Sequence, residues 1–315
     1  MRVTRVAAVD CGTNSLRLLV ADLDLDQRQV VQVDRRTTIV RLGQDVDRTG
    51  VFAPEALQRT FAALDTYADV ITDLNVQATR FVATSAARDV DNRGDFLDGV
   101  RARLGVEAEI ISGDEEARLS YDGATRELTR HDDVTGPVLV VDIGGGSTEF
   151  VMRIGEDSPI LGRSIDVGSV RLTERHLASD PATKHQVRAV VEDVEREMAK
   201  LDLPLEGVTT VVGVAGTVTT MAAMVLDLEV YDRDRVNGAR LASQDVLRAV
   251  DRIVAMTVEE RRALPFMHPD RADVIGGGAL LLGCVLRRLG LSELRVSSHD
   301  ILDGIAWSLA TRRLA

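Results

Sequence analysis

Two aspartates in this chain each close an apolar run and stand directly before a turn rich in glycine and hydroxyl residues. The first segment reads V-A-A-V-D-C-G-T-N-S over residues 6–15, and the second reads V-L-V-V-D-I-G-G-G-S-T-E over residues 138–149. A short β-branched run that ends in glycine predicts a buried strand, a tight turn and a second strand. In the second segment, Gly144, Gly145 and Gly146 would let successive backbone N–H groups point into one concavity, which suits phosphate oxygens.

Acidic residues stand on both sides of this glycine turn. Asp142 precedes it and Glu149 follows it, and these two carboxylates alone would repel a phosphate. A divalent cation between them removes the repulsion, and hard oxygen ligands favour Mg²⁺, with Mn²⁺ as an alternative ion. The other interpretation is an ordinary glycine hairpin with surface acids, and this segment alone leaves both open.

The two segments form an internal repeat. Three pairs of positions coincide when the segments are aligned without gaps: Asp10 with Asp142, Gly12 with Gly144, and Ser15 with Ser147. A repeated strand–turn–strand unit indicates a duplicated pair of α/β domains, each of which offers one loop to a shared cleft. Asp10 is therefore a further candidate metal ligand.

Two loops supply neutral and cationic donors for phosphate oxygens. The first is the turn after Asp10, and the second, A-T-S-A-A-R-D over residues 83–89, joins a predicted strand to a helix, where backbone amides and the helix dipole favour an anion. An arginine fork can hold two phosphate oxygens, but Arg17 could equally be an exposed strand residue, and Arg88 could pair with a neighbouring aspartate. The candidates in these loops are Thr13, Asn14, Ser15, Arg17, Ser85 and Arg88.

A pair of glutamates opens a predicted helix in the segment I-S-G-D-E-E-A-R, residues 111–118. Acids in a first turn ordinarily complement the helix dipole, yet a glutamate here could also be the general base that orients a water molecule. Because adjacent helical residues point about 100° apart, only one of Glu115 and Glu116 can face a given site. A further loop, G-V-A-G-T, offers Gly216 and Thr217 as a weaker candidate site for a second phosphate or a nucleotide.

The predicted elements suggest how these loops are positioned. Three antiparallel strands at 3–10, 16–22 and 28–41 precede alternating helices and strands, and the second copy begins at 138 with the same order. The order β-β-β-α-β-α-β-α is that of a ribonuclease-H-like domain. The sequence thus predicts an α/β protein of two such domains with an interdomain cleft, one at 1–124 with a closing helix at about 300–315, the other at 125–299.

Composition excludes several classes of function. The 315 residues carry a net charge of −12 and only 3% aromatic residues, which disfavours nucleic-acid binding. The sequence contains neither G-x-x-x-x-G-K-[ST] nor G-x-G-x-x-G, and it has no zinc-ligand spacing. The absence of a signal segment, of an apolar run of roughly 18 residues and of a disulfide framework predicts a cytoplasmic protein without a membrane span. Cys11 is interpreted as a small core residue rather than a nucleophile.

Together these motifs resemble the exopolyphosphatase and guanosine-pentaphosphatase family. D-C-G-T-N-S-L-R, A-T-S-A-A-R-D, I-S-G-D-E-E-A-R-L and V-D-I-G-G-G-S-T-E match its motifs in order and spacing, and the resemblance extends over essentially the whole chain. It implies the fold of the actin, sugar-kinase and Hsp70 superfamily, in the short two-domain form most similar to actinobacterial exopolyphosphatases. The S-S-H-D-I-L-D-G segment, with His299 and Asp300, departs from the arginine-containing version that many members have.

The resemblance also implies an activity and roles for residues. The expected reaction is hydrolysis of the terminal phosphoanhydride of inorganic polyphosphate, with the 5′-phosphate of pppGpp as the alternative substrate. Asp142 and Glu149 would hold Mg²⁺, and Glu116 would act as the base, with Glu115 as the alternative. Terminal phosphates would be held by Gly144, Gly145, Gly146, Ser147, Asn14, Ser15 and Arg88. An actin-like nucleotide-binding regulatory module is the alternative from another functional class, and a homodimer is left open.

Overall fold

The computed structural model describes residues 3–13, 15–24, 29–44, 46–84, 87, 90–130, 136–155 and 158–312. The chain separates into two compact units, Met1–Gly123 with Ile301–Ala315, and Ala124–Asp300. Each unit is built on its own β-sheet with helices packed against it. The prediction of a mixed α/β fold is therefore confirmed.

The first unit opens with antiparallel strands and continues with helices and parallel strands. Its sheet has the order β3-β2-β1-β4-β5, in which β1 pairs with β2 and β2 with β3 antiparallel, while β1, β4 and β5 run parallel. The strands are β1 (Val3–Cys11), β2 (Ser15–Asp24), β3 (Gln29–Ile39), β4 (Ala78–Ala83) and β5 (Ala108–Ile110). The helices are α1 (Val46–Thr49), α2 (Pro54–Asp73), α3 (Arg93–Leu104) and α4 (Gly113–Arg130).

The second unit has the sheet order β10-β11-β9-β6-β7-β8. Its strands are β6 (Val138–Ile143), β7 (Thr148–Arg153), β8 (Leu161–Ile165), β9 (Thr210–Val214), β10 (Arg240–Ala242) and β11 (Glu293–Val296). Its helices are α5 (Ser169–His176), α6 (Lys184–Met198), α7 (Ala215–Val225), α8 (Arg233–Val236), α9 (Ser243–Ala255), α10 (Val258–Arg262) and α11 (Ile275–Leu289). Among the described residues, no helix combines the length and apolar character needed to cross a membrane.

The last helix, α12 (Ile301–Arg312), belongs to the first unit and covers one face of its sheet. Leu302 and Ile305 of α12 pack with Ala8 and Leu19 of the sheet and with Leu119 of α4. The opposite face of the same sheet packs against α2 and α3 through a separate apolar cluster. The strands of this sheet carry apolar residues on both faces because the sheet is buried between two helical layers.

The internal repeat is visible in the two sheets. Strands β3-β2-β1-β4-β5 of the first unit correspond to β8-β7-β6-β9-β11 of the second, in the same order and with the same directions. Strand β10 adds an antiparallel edge to the second sheet. Asp10 pairs with Arg17 in the register of β1 and β2, and Asp142 pairs with Glu149 in that of β6 and β7. The duplicated strand–turn–strand unit is thus confirmed.

The sequence interpretation missed one helix that matters for the site. The spacing of Val187, Val190, Val194 and Met198 predicts one helix in this region, at 181–202. The structure instead has α5 at Ser169–His176 and a separate α6 at Lys184–Met198. Helix α5 has only eight residues, and Ser169 and Leu172 are the ones it buries, so its periodicity is too short to detect. Thr183 caps α6 by accepting a hydrogen bond from Gln186 N at 3.3 Å, which defines the true start of that helix.

Candidate active site

The turn between β6 and β7 contains the three glycines of the predicted phosphate nest. The amide of Gly144 donates to the carbonyl oxygen of Ser147 at 3.1 Å, which closes the turn. The carbonyl oxygen of Gly144 accepts from Ser169 N of α5 at 2.9 Å, and that of Gly145 accepts from Val170 N at 2.9 Å. Because the first amides of a helix need acceptors, the start of α5 fixes the orientation of the turn.

Gly168 allows α5 to approach this closely. It is the N-cap of α5, with an extended backbone at φ −154° and ψ 177°. A Cβ atom at this position would lie 2.6 Å from the carbonyl carbon and oxygen of Gly145 and 2.8 Å from the carbonyl oxygen of Gly144. The glycine turn and the start of α5 therefore form one packed backbone unit.

Two carboxylates face each other across the strands that flank the turn. Asp142 and Glu149 are direct cross-strand partners, and both are half-buried. The Oε1 atom of Glu149 accepts hydrogen bonds from Ser147 Oγ at 2.6 Å and from Ser164 Oγ at 3.0 Å. Directly opposed like charges are destabilising in a sheet, so this arrangement suits a cation.

The donor set fits Mg²⁺ better than a metal with an all-protein cage. Among the residues that the structure describes, no group of three or more His, Cys, Asp or Glu side chains is arranged to hold a metal ion. Mg²⁺ is commonly bound by one or two carboxylates, with water and substrate phosphates as the other ligands. Asp142 and Glu149 meet that requirement, and the predicted ion itself stays a prediction.

The corresponding pair in the first unit has a different chemistry. The amide of Gly12 donates to the carbonyl oxygen of Ser15 at 3.0 Å, so the turn closes as in the second unit. Here, however, Arg17 stands opposite Asp10 and binds its Oδ2 atom through Nε at 2.9 Å and Nη2 at 2.5 Å. Asp10 is only 3% exposed. This ion pair favours a structural role for both residues over the predicted metal and phosphate contacts, which stay predictions.

The remaining donors of the two first-unit loops are described in part. Thr13 is exposed, and its carbonyl oxygen accepts from Gly43 N at 2.8 Å, while Ser15 is half-buried at the start of β2. The predicted phosphate contacts Asn14, Ser85 and Arg88 lie outside the described residues. Burial, followed by the charge of Asp10, raises the pKa of the Cys11 thiol, which agrees with its interpretation as a core residue.

The two candidate bases differ in their contacts at the start of α4. Ser112 caps the helix, since its Oγ atom accepts from Glu115 N at 3.2 Å and its carbonyl oxygen accepts from Glu116 N at 2.9 Å. The carboxylate of Glu115 is bound by Arg80, with Nη2 and Oε1 2.6 Å apart. Glu116 is half-buried in the same turn. Glu115 is thus held by an ion pair, and the role of Glu116 as the base remains a prediction.

The first turn of α7, which directly follows β9, contains the weaker candidates Gly216 and Thr217. Ala215 before them has φ of 68°, a left-handed conformation that costs a non-glycine residue about 1–2 kcal/mol. Thr217 is 5% exposed and packs against Gly278 of α11, where a Cβ atom would lie 2.6 Å from Thr217 Oγ1. The glycines of α11 therefore permit close helix packing, and Thr217 takes part in that packing, while its predicted phosphate contact stays a prediction.

Two arginines near these loops were missed by the sequence analysis. Arg171 of α5 has its Nη2 atom 3.8 Å from the position of a Cβ on Gly146, and its Nη1 atom donates to Asp166 O at 3.0 Å. Arg271 lies over Gly216, whose carbonyl oxygen accepts from Arg271 Nη1 at 3.4 Å. Burial lowers the pKa of Arg271 despite the nearby Tyr231. Arg171 could have been identified as a site residue only if α5 had been predicted. No spacing in the sequence identifies Arg271 as one.

A buried acid holds the far end of α5 onto α6. Asp193 of α6 accepts from His176 Nε2 at 2.8 Å and from Arg175 Nη1 at 3.3 Å, and it also pairs with Arg196. Burial alone would raise the pKa of Asp193, but these hydrogen bonds and the charge of Arg196 lower it overall. Helix α5 is therefore fixed at both ends, by the glycine turn and by Asp193.

The divergent C-terminal motif lies at the end of β11. Its serine Ser297 accepts from His299 N at 3.1 Å through Oγ, and the ring of His299 contacts the side-chain amide of Asn237 at 3.3 Å. Asp300 directly precedes α12, which is the N-cap position that aspartate favours. This motif is organised by local hydrogen bonds.

Comparisons with known proteins agree on one family. The Ppx/GppA phosphatase family matches residues 21–313. Exopolyphosphatase 2 of Mycobacterium tuberculosis (strain CDC 1551 / Oshkosh) is 48% identical, over 98% of this chain and 100% of the relative.

Solved structures give the same result for the fold. A crystal structure described as an exopolyphosphatase-like protein is 42% identical, covers 100% of both chains and has a TM-score of 0.84. The crystal structure of the Ppx/GppA family member from Aquifex aeolicus is 30% identical, again covers 100% of both chains and has a TM-score of 0.85. With the duplicated sheets and the opposed carboxylates at the glycine turn, these matches establish that the chain belongs to the Ppx/GppA phosphatase family.

Proposed function

We propose that this protein is an exopolyphosphatase, a hydrolase that removes the terminal phosphate of inorganic polyphosphate as orthophosphate. The observation that carries the proposal is the opposed pair Asp142 and Glu149 beside the glycine turn. Two carboxylates next to a phosphate nest are unfavourable unless a divalent cation bridges protein and substrate. The full-length similarity to Exopolyphosphatase 2 of M. tuberculosis supports polyphosphate as the substrate.

Asp142 and Glu149 would hold Mg²⁺, with Mn²⁺ as the alternative ion. The bound ion would neutralise charge on the phosphate oxygens as the anhydride bond breaks. Ser147 and Ser164 donate to the same oxygen of Glu149, so they would fix the orientation of that carboxylate toward the ion.

The glycine turn would hold the terminal phosphate. The amides of Gly144, Gly145 and Gly146 are the proposed donors, and Arg171 lies beside the turn as a cationic group. Asn14, Ser15 and Arg88 retain the phosphate contacts that the family resemblance implies. A protein with a net charge of −12 needs such local positive groups to bind a polyanion.

Glu116 would be the general base. In the proposed step the oxygen of a water molecule attacks the terminal phosphorus, and Glu116 takes a proton from that water. The bond between this phosphorus and the bridging oxygen breaks, and the bridging oxygen leaves with the shortened chain. Glu116 is preferred because of the family resemblance, and Glu115, whose carboxylate is bound to Arg80, is the alternative.

A second candidate substrate is pppGpp, whose 5′-phosphate would be cleaved by the same groups. A hollow of about 660 Å³ lined by Leu228, Tyr231, Arg233 and neighbouring residues of the second unit is large enough for a nucleoside. If this hollow holds the guanine of pppGpp, Tyr231→Ala should lower kcat/KM for pppGpp and leave polyphosphate hydrolysis unchanged. Equal effects on both substrates, or no effect on either, would exclude the hollow as a binding site for guanine.

The test of the main proposal is phosphate release from long-chain polyphosphate, short-chain polyphosphate and pppGpp, with Mg²⁺ and with EDTA. We expect the highest kcat/KM for polyphosphate and loss of turnover in EDTA. Asp142→Asn and Glu149→Gln should each reduce activity at least a hundredfold. Full activity in EDTA would refute the carboxylate metal site, and hydrolysis of pppGpp alone would refute the substrate assignment.

Location and assembly complete the proposal. Cys11 and Cys284 are free and buried, and two unpaired thiols suit a reducing compartment such as the cytoplasm. A homodimer is the proposed alternative to a monomer. Light scattering on the purified protein distinguishes the two, because the chain has a mass of 34.2 kDa.

A further inference from the structure

A buried arginine in the first unit has no part in the reaction described above. Arg80 lies in β4, where it pairs in register with Ala8 of β1, and its side chain is 1% exposed. Moving a guanidinium out of water is costly unless its N–H groups are hydrogen-bonded and its charge is neutralised. The partners of a buried arginine must therefore neutralise its charge and accept hydrogen bonds from its N–H groups.

The guanidinium of Arg80 joins three different elements of the unit. Its Nη2 atom lies 2.8 Å from Oε2 of Glu109 in β5 and 2.6 Å from Oε1 of Glu115 in α4. Its Nε atom donates to Oε2 of Glu109 at 3.2 Å. Its Nη1 atom donates to Oγ of Ser308 in α12 at 2.7 Å. A strand and two helices are thus tied to one rigid, planar group.

The contact with Glu115 is more than an ordinary helix-dipole interaction. Asp114 in the same turn is exposed, and an exposed acid at a helix start already complements the dipole. The carboxylate of Glu115, in contrast, is directed inward to a buried cation. A short charge-assisted bond to a fixed partner sets the rotation of the first turn about the helix axis.

That rotation determines where the next side chain points. Glu116 follows Glu115 directly, about 100° further round the helix. Two of the contacts that restrain the first turn are the Ser112 cap and the Arg80–Glu115 ion pair. The cap fixes where the helix begins, and the ion pair fixes which way the turn faces.

We propose that Arg80 is a positioning residue for Glu116: by holding Glu115, it orients the first turn of α4 so that Glu116 is directed at the attacking water. The inference rests on the proposed function, because it takes Glu116 as the base. Arg80 itself touches neither substrate nor metal in this scheme. Its removal should therefore change kcat far more than KM.

The variants that test this are Arg80→Met, Arg80→Lys and Glu115→Gln, with Arg101→Met as the matched control. Arg101 pairs with Glu107 in the same unit, also at 2.6 Å, but both side chains are largely exposed. We expect Arg80→Met to lower kcat between about tenfold and a hundredfold, as a small misplacement of a reacting group does, with KM within about twofold. Arg80→Lys should recover part of the loss, because an ammonium keeps the charge but not the fork.

Arg80→Met could fail to fold, since it leaves two carboxylates without their cation. Glu115→Gln keeps the contacts of Arg80 to Glu109 and Ser308 and removes the negative charge of the Glu115 carboxylate. This variant should still lower kcat several-fold. Circular dichroism and urea unfolding identify the folded variants. Wild-type kcat in folded Glu115→Gln and Arg80→Lys, or a rise in KM without a change in kcat, would overturn the inference.

A double-mutant cycle with Glu116→Gln separates positioning from a general loss of stability. If Arg80 acts through Glu116, the double variant Arg80→Lys/Glu116→Gln should have the same kcat as Glu116→Gln alone. Additive losses would show that Arg80 does not act through the base. If Glu116→Gln alone keeps full turnover, the proposed function of Glu116 fails first, and that result is distinguishable from failure of the positioning role.

Discussion

Replacing Gly168 by alanine should uncouple the glycine turn from α5. The added Cβ would lie 2.6 Å from the carbonyl group of Gly145, whereas ordinary contact begins near 3.4 Å, so the two backbone segments must separate by about 0.8 Å. The backbone at Gly168 is extended, a conformation that alanine adopts freely. The effect therefore comes from crowding alone.

The size of the effect follows from the bonds that this separation would break. The bonds from Ser169 N and Val170 N to the turn are both 2.9 Å, and that from Arg171 N is 3.1 Å. An increase of about 0.8 Å would take all three beyond hydrogen-bonding distance. At about 1 kcal/mol each, their loss should lower the free energy of unfolding by about 3 kcal/mol. A phosphate nest displaced by this distance should reduce kcat/KM for polyphosphate by about ten- to a hundredfold.

The assay combines urea unfolding with phosphate release at several Mg²⁺ concentrations. Gly207→Ala is the matched control, because a Cβ at Gly207 in the same unit meets no atom within 4 Å. That control should change the free energy of unfolding by less than about 0.5 kcal/mol. If Gly168→Ala keeps both the stability and the kcat/KM of the wild type, contact with α5 does not hold the turn in its active geometry.

Three other substitutions test separate features of the fold and site. Glu149→Arg would give the second unit the same Asp–Arg pair that the first unit has. The protein should therefore fold with its stability within about 1 kcal/mol of wild type, but Mg²⁺-dependent phosphate release should be lost. Retained turnover would refute the metal site. Gly304→Ala would put a Cβ 2.0 Å from Leu119 O and should lower the free energy of unfolding by roughly 1–3 kcal/mol; an unchanged urea midpoint would contradict this close packing. The pKa of Asp193 is lowered in the folded protein. The stabilisation from this carboxylate is therefore present at pH values above the ordinary carboxyl pKa and is lost as the pH falls through the pKa of the folded state. Asp193→Asn should make the stability measured by thermal unfolding less dependent on pH in the acid range.

The fold could be predicted from the sequence because the strands and most helices carry strong local signals. β-branched runs that end in glycine mark β1 and β6, and Pro54 and Gly105 mark a helix start and a helix end. The repeat predicted two copies of one strand–turn–strand unit, and the two sheets share the order of their corresponding strands. Helix α5 was missed because eight residues give too few periodic positions, and its stability comes from the bonds to the glycine turn and to Asp193.

The site could be predicted only as far as residue types determine contacts. The turn glycines and the Asp142–Glu149 pair are adjacent in the strand register, so the sequence was sufficient to identify them. Arg80 and Arg271 act through contacts with residues far away in the chain, and nothing in their local sequence distinguishes them from surface arginines. The same limit applied to Glu115 and Glu116, because the ion pair of Glu115 with Arg80 joins residues that are distant in the sequence.

The repeat also explains why the two turns are expected to differ in their chemistry. Both copies place an aspartate at the end of the first strand, and the residue opposite it decides the chemistry. In the first unit Arg17 is bound to Asp10 within the sheet, which favours a structural role for that pair. In the second unit a glutamate occupies the equivalent position opposite Asp142, and two neighbouring negative charges favour binding of a cation that can then contact phosphate oxygens. A single change of side-chain charge on a shared backbone is therefore enough to turn a stabilising ion pair into a candidate metal site.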